Sequence, residues 1–282
     1  MKNVVLVTLA VFLSLFSFAQ DAAEKISQAN EAMKAEEYSK AFSLYDDAMK
    51  NLGDVEVDDS INYNIALAAY RSDNREGALE YFDKAIEAEV NLQRSYEYKA
   101  RIYNNMDDYA NAVASYEQAI AVAEDDTASM IFNAGIAAYR GGMLDKAIVF
   151  FGRSATNDYR GETATYYKAI ALKKLNKDDA YIATLKEGVE NYPEDDKISS
   201  ALANYYVSKG NDLYKKGVAI LNAANKQVQD GTIQTTDDAY KAEVEKAQKE
   251  FRAAVEVLEK AKELDPSNAN AQKLIDACSA VL

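Results

Sequence analysis

The sequence predicts an all-α protein made of stacked helix–turn–helix repeats. One motif occurs six times: a small residue, an aromatic residue or leucine four positions later, and a small residue three positions after that. The first five copies, of which the fifth is weak, begin at Ala41, Ala78, Ala112, Ala147 and Tyr181, at steps of 37, 34, 35 and 34 residues, and the sixth is Ala254-Leu258-Ala261. A fixed period of this length indicates repeats that bury their apolar faces against one another.

The spacing within the motif predicts how each repeat is built. Positions i, i+4 and i+7 share one face of a helix. Twelve residues before each copy lies another small residue: Ala29, Ala66, Ala100, Gly135, Ala169 and Ala242. Two helices cross closely only where side chains are small, so these positions belong to a preceding helix. Turn residues such as Ser72-Asp73-Asn74 lie between the two positions. Each unit is therefore a helix, a tight turn and a second helix.

On these motifs the chain resembles the tetratricopeptide repeat family, whose unit of about 34 residues has this signature. The resemblance covers residues 22–195 and 235–268, and Pro193 and Pro266 each follow a closing small residue by five positions, as in the family. The absence of Trp, and of proline in the first four units, departs from the family pattern. The resemblance implies a right-handed superhelical solenoid whose first helices line a concave face.

The chain divides into three predicted segments. Residues 1–19 are typical of a signal peptide, with an apolar run from Val4 to Phe16 and a cleavage site near Ala19/Gln20. We therefore expect export to the periplasm or beyond, and an uncleaved membrane anchor is the alternative. Residues 20–210 contain five units and a sixth first helix at 197–209. Residues 211–282 form an extended helical hairpin, a degenerate last repeat and a capping helix.

The hairpin is predicted in detail. From Asp237 to Leu264 no residue breaks a helix, so we expect one continuous helix that begins near Thr236 and pairs with residues 211–228. A closing helix follows from Asn268 to Val281. Its single cysteine, Cys278, is interpreted as a small buried hydrophobe, and a thiol that links two chains is the alternative.

Composition excludes several kinds of chemistry. The chain has no histidine, one cysteine and no nucleotide-binding glycine motif, which argues against an enzyme, a cofactor or a metal site. The paired aspartates at 58–59, 107–108, 125–126, 178–179 and 195–196 are interpreted as helix caps and turns. Net charge is −14, and this acidity disfavours nucleic acid and anionic membrane surfaces as partners.

The resemblance assigns partner-binding positions to the first helices. Carried onto this chain, these positions gather tyrosines and cations, and we predict that ten of them bind a partner: Tyr63, Tyr70, Arg71, Arg94, Arg101, Tyr139, Arg140, Tyr166, Lys173 and Lys174. Such a surface fits an extended, partly acidic peptide or a chain terminus. Two other interpretations stay open, because tyrosines at helical spacing also pack in cores and cations at helix ends also complement the helix dipole.

The predicted function is that of an exported, non-enzymatic scaffold that binds a protein or peptide. A carbohydrate-binding module of the cell envelope is the alternative, since the same tyrosines could stack on sugar rings. The sequence does not indicate an oligomeric state.

Overall fold

The computed structural model describes residues 20–53, 56–124 and 126–282, and the predicted signal peptide lies outside them. Within these residues there are thirteen helices and no strand. The helices are α1 (20–34), α2 (Tyr38–Lys50), α3 (Ser60–Arg71), α4 (Arg75–Glu87), α5 (Leu92–Asn105), α6 (Tyr109–Ala121), α7 (Ala128–Arg140), α8 (Leu144–Thr156), α9 (Gly161–Lys174), α10 (Asp178–Asn191), α11 (Asp196–Gln229), α12 (Asp238–Leu264) and α13 (Ala269–Ser279). The prediction of an all-α repeat protein is confirmed.

The chain forms two compact units, one ending at Phe150 and the other running from Phe151 to Leu282. In the first unit α3 packs on α4 and α5 on α6, while α2–α3, α4–α5 and α6–α7 join successive repeats. In the second unit α9 packs on α10, α11 on α12, and α13 covers α12 and part of α11.

The repeated motif forms the buried face of the second helices. All six copies are buried as predicted, including Tyr45, Phe82, Tyr116, Phe151 and Leu185, each no more than 3% exposed. In the first four copies and the sixth, the small residues flanking them are also buried, so a helix can approach on either side of each large side chain.

The turns inside the repeats follow the same period. One residue of each turn has a positive φ, namely Glu36, Asp73, Asp107, Gly142 and Asn176. In the second repeat the N–H of Asn74 bonds the Ala69 carbonyl at 2.9 Å and the N–H of Asp73 bonds the Tyr70 carbonyl at 3.2 Å. This pair of bonds is a Schellman motif, which satisfies the last carbonyls of the first helix. The Asn74 side chain then accepts from the Gly77 N–H and caps α4.

The paired aspartates within the described residues serve mostly as caps. Asp108 accepts from the Asn111 N–H at 3.2 Å and Asp195 accepts from the Ile198 N–H at 2.8 Å, which caps α6 and α11. Asp178 and Asp179 lie in the first turn of α10, where the helix dipole favours negative charge. Asp125 lies outside the described residues.

The predicted end of the sixth first helix at Lys209 is wrong. Helix α11 continues for 34 residues from Asp196 to Gln229, so the sixth first helix and the first arm of the hairpin are one element. Its buried small residues Ala203, Gly210, Gly217 and Ala224 recur every seven positions. A Cβ atom at Gly210 would lie 2.5 Å from Leu258 Cγ, and one at Gly217 would lie 2.6 Å from Phe251 Cε1. The glycines therefore allow α12 to approach α11 closely, rather than ending α11.

The predicted position of Ala242 is also wrong. This residue was expected at the helix crossing before the sixth motif, but it is exposed. Because α12 is continuous from Asp238 to Leu264, Ala242 lies on the same helix as Ala254. Buried Ala203 of α11 instead packs in one core cluster with the buried face of α12.

The remaining features of the hairpin agree with the prediction. Helix α12 is one element, although Asp237 rather than Thr236 is its N-cap residue. The closing helix α13 is shorter than predicted and packs against α12. Cys278 is fully buried in this contact, and burial raises the pKa of its thiol. It therefore packs as a small apolar side chain.

Candidate functional site

Four of the ten predicted residues meet in the first unit, on helices α3 and α5. The ring of Tyr70 stands edge-on to Tyr98, with centroids 4.8 Å apart, and Tyr98 stacks on Phe82 at 5.3 Å. Tyr63 also contacts Phe82 edge-on and is only 8% exposed, so it belongs to the core. These aromatic pairs join α3, α4 and α5 through direct ring contacts.

The two arginines of α5 lie at the edge of this aromatic group. The Arg101 guanidinium donates to Glu97 at 2.7 Å and lies 5.8 Å from the centre of the Tyr98 ring. Burial, partly opposed by the nearby Arg101, raises the pKa of Tyr116 to about 12. Arg94 lies beside the Tyr63 phenol. Burial raises the pKa of this phenol, and the charge of Arg94 partly opposes that shift. Both cations therefore already have partners inside the first unit.

Arg71 and Arg140 lie at the ends of α3 and α7, beside the turns. Arg71 donates to the Tyr38 hydroxyl at 2.7 Å, and its guanidinium lies 5.0 Å from the centre of that ring. Arg140 lies near Tyr109, which packs against the backbone of Gly141. Since each cation lies in the last turn of its helix, it also complements the helix dipole. Tyr139, also on α7, is half-buried.

The other three predicted residues lie on α9 in the second unit. Tyr166 is half-buried, while Lys173 and Lys174 are exposed. Tyr166 and Lys173 face helix α11 across an open groove, and Lys174 does not line it. The groove consists of two adjoining pockets of about 480 and 450 Å³, which share Lys173, Tyr181 and Asn204.

We call this feature the lysine groove and define it by the side chains that line it. They are Tyr166, Ile170, Lys173, Asp178, Asp179, Tyr181, Ile182, Asp196, Lys197, Ser200, Ala201, Asn204, Tyr205, Ser208 and Lys209. Helices α9 and α10 form one wall, and the first half of α11 forms the other. The Lys173 ammonium lies 5.3 Å from the centre of the Tyr181 ring, a distance that allows a cation–π interaction.

The structure thus brings the predicted residues together in groups. Tyr63, Tyr70, Arg94 and Arg101 form one group in the first unit, and Tyr166 and Lys173 form another in the second. That all ten share one concave surface stays a prediction.

Sequence reasoning missed most residues of the α11 wall. Ser200, Asn204 and Ser208 recur every four positions and so share one helix face, which is a signal that was present in the sequence. That they face Lys173 depends on how α11 packs against α9 and α10. No local pattern encodes that contact.

Two further properties bear on function. Among residues 20–53, 56–124 and 126–282, no group of three or more acidic or cysteine side chains converges as a metal site would require. Over the same residues, none of the helices combines the length and apolar character needed to span a membrane.

Comparisons with known proteins complete the description. Two family models described as tetratricopeptide repeat match the chain, one at residues 93–126 and 241–268 and the other at residues 26–90. None of the curated proteins compared matches it.

Among solved structures, the C-terminal part of a TPR repeat-containing protein from Cytophaga hutchinsonii is 16% identical, with a TM-score of 0.49, covering 89% of this chain and 99% of that one. YrrB, described as a TPR protein with an unusual peptide-binding site, is 18% identical with a TM-score of 0.48, covering 63% and 90%. A tetratricopeptide repeat protein from Parabacteroides merdae is 15% identical with a TM-score of 0.47, covering 92% and 99%.

Proposed function

Because this chain belongs to the tetratricopeptide repeat family, we propose that it is an exported, non-enzymatic scaffold that binds a protein or an extended peptide. The observation that carries the proposal is the lysine groove, an open channel between helices of successive repeats. Proteins recognise extended peptides in such channels by combining apolar and aromatic walls with a few polar groups that fix the peptide.

The chemistry of the groove supports binding rather than catalysis. Its walls offer ammonium, hydroxyl and amide groups for hydrogen bonds, and tyrosine rings for apolar contact. The whole chain lacks histidine, so an imidazole general base is not available. Export is part of the proposal because of the apolar run and cleavage site within residues 1–20.

A second candidate function is carbohydrate binding in the cell envelope. It is favoured by the rings of Tyr166 and Tyr205, both of which line the lysine groove. Stacking of sugars on aromatic rings depends little on salt, whereas binding of an acidic peptide weakens as salt screens the charges.

The experiment is to capture the partner with the mature chain and then to test the surface. Protein beginning at Gln20 is immobilised, exposed to envelope extract, and the retained proteins are identified by mass spectrometry. The purified partner is then titrated against wild type, Lys173→Ala and Arg101→Ala at low and high salt. Lys260→Ala, an exposed change on α12 outside both groups, is the matched control.

We expect Lys173→Ala to weaken binding by roughly 1.5–3 kcal/mol, the range for hydrogen bonds to charged groups. Arg101→Ala should weaken it less, because Glu97 already pairs with that guanidinium. If Lys173→Ala and Arg101→Ala both bind the partner as tightly as wild type does, the binding surface lies elsewhere. Retention of polysaccharide without protein, unaffected by salt, would support the second candidate.

A further inference from the structure

The cations of this protein differ in whether they already have partners. In the first unit, Arg71 donates to Tyr38 and Arg101 pairs with Glu97. In the lysine groove, by contrast, Lys173, Lys197 and Lys209 make no ion pair or hydrogen bond with any residue that the structure describes, and the Lys173 ammonium lies over the Tyr181 ring. In a chain of net charge −14, unpaired cations along one channel leave their charge available to a ligand.

A second set of unused groups runs along the same wall. Ser200, Asn204 and Ser208 project from successive turns of α11, and none of the three side chains is hydrogen-bonded within the described residues. Hydroxyl and amide groups both donate and accept hydrogen bonds. A row of them at intervals of four residues, about 6 Å along the helix, can bond the backbone of an extended chain, whose like-facing groups repeat about every 7 Å.

The charges vary along the groove. Asp196 lies beside Lys197 in one pocket, and Asp178 and Asp179 line the other pocket, which holds both Lys173 and Lys209. Lys173 borders both pockets and therefore lies at the centre. A carboxylate of the ligand is thus best placed at the centre of the groove, opposite the one lysine that both pockets share.

The length of the groove limits the length of its ligand. From Lys197 to Lys209 helix α11 rises about 18 Å, at 1.5 Å per residue. An extended peptide advances about 3.3–3.6 Å per residue, so five or six residues fill that distance.

We propose that the lysine groove binds an extended peptide segment of five or six residues that carries a glutamate or aspartate near its middle, opposite Lys173. Uncharged residues flank the acidic one, and Ser200, Asn204 and Ser208 hold the peptide backbone. This assignment rests on the proposed function and adds the length and charge pattern of the ligand. The arginines of the first unit take no part in it.

The test uses synthetic probes, so that it does not depend on finding the natural partner. Two pools of fluorescein-labelled hexapeptides, capped at both ends, are randomised over uncharged residues except at the third position, which is glutamate in one pool and glutamine in the other. Binding of each pool to the mature chain is followed by fluorescence anisotropy. The proteins are wild type, Lys173→Ala, Asn204→Ala and the control Lys186→Ala, which removes an exposed lysine of α10 outside the groove.

Wild type and Lys186→Ala should bind the glutamate pool at least about tenfold more tightly than the glutamine pool, as expected for one charge-assisted hydrogen bond. Lys173→Ala should lose that preference, and Asn204→Ala should weaken both pools while keeping it. Circular dichroism establishes that each variant is folded.

Equal binding of the two pools to wild type, no binding of either pool, or an unchanged preference in Lys173→Ala would overturn the assignment. The two proposals can fail separately. If the peptide assignment fails but a captured partner binds Lys173→Ala more weakly than wild type, the proposed function stands. If no partner is captured but the peptide pools show the expected preference, the groove assignment stands.

Discussion

A methyl group added at Gly210 tests whether α11 and α12 approach each other as closely as the structure indicates. The new Cβ would lie 2.5 Å from Leu258 Cγ and 2.7 Å from its Cδ2. Carbon atoms in contact are normally about 3.5–4.0 Å apart, so one helix must shift by about 1 Å. Leu258 is fully buried and its Cγ moves only if χ1 changes, which would drive the side chain into the surrounding core.

In Gly210→Ala, the free-energy cost of overpacking can be separated from the gain in helix propensity that comes from replacing glycine with alanine. Glycine is about 1 kcal/mol worse than alanine inside a helix, so Gly210→Ala gains that amount before any clash. Overpacking a filled core costs about 1–3 kcal/mol. Gly152 of α8 supplies the matched control, because a Cβ there would meet no atom within 4 Å. We therefore expect Gly152→Ala to stabilise the protein, and Gly210→Ala to be about 1–3 kcal/mol less favourable than that control.

The assay is urea unfolding of the mature chain followed by circular dichroism at 222 nm. Hydrogen exchange of the α11 amides provides a local measure, since long repeat arrays need not unfold in one step. Adding Leu258→Ala to Gly210→Ala should show coupling between the two changes, because the smaller side chain removes the clash. Equal stabilisation by Gly210→Ala and Gly152→Ala, or strict additivity in the double variant, would refute the close approach.

Three other predictions follow from single residues. Replacing Ala100, a fully buried residue at a helix crossing, with Leu should overpack the first unit and lower its stability by about 1–3 kcal/mol; an unchanged urea midpoint would contradict this. The pKa of Tyr116 is raised to about 12, so the stability that its neutral phenol contributes is complete below about pH 10 and lost as the pH rises through 12. Tyr116→Phe should then reduce the loss of stability in alkaline urea titrations relative to wild type. The mature protein should begin at or within a residue or two of Gln20, and N-terminal sequencing that recovers Met1 from membrane-bound protein would establish an anchor instead.

The sequence by itself determined the repeat and its buried face. A period near 34 residues and the small–aromatic–small spacing predicted that Tyr45, Phe82, Tyr116 and Phe151 would be buried, and they are. These features can be predicted from the sequence because helix periodicity is local. Positions i, i+4 and i+7 share one face of a helix, whichever element packs against that face. Four of the five tight turns were predictable for the same reason, since the asparagine, aspartate and glycine found in them tolerate the left-handed conformation; the first turn has Glu36 at that position.

Only the tertiary structure decided the course of α11 and the composition of the lysine groove. Glycine weakens an isolated helix, so Gly210 was consistent with a break. Packing against Leu258, 48 positions along the chain, explains why a side chain is absent there and why the helix continues. Likewise, Lys173 and Asn204 line one groove because α11 packs beside α9 and α10. Contacts between residues so far apart depend on how helices stack, and no periodicity within either helix specifies them.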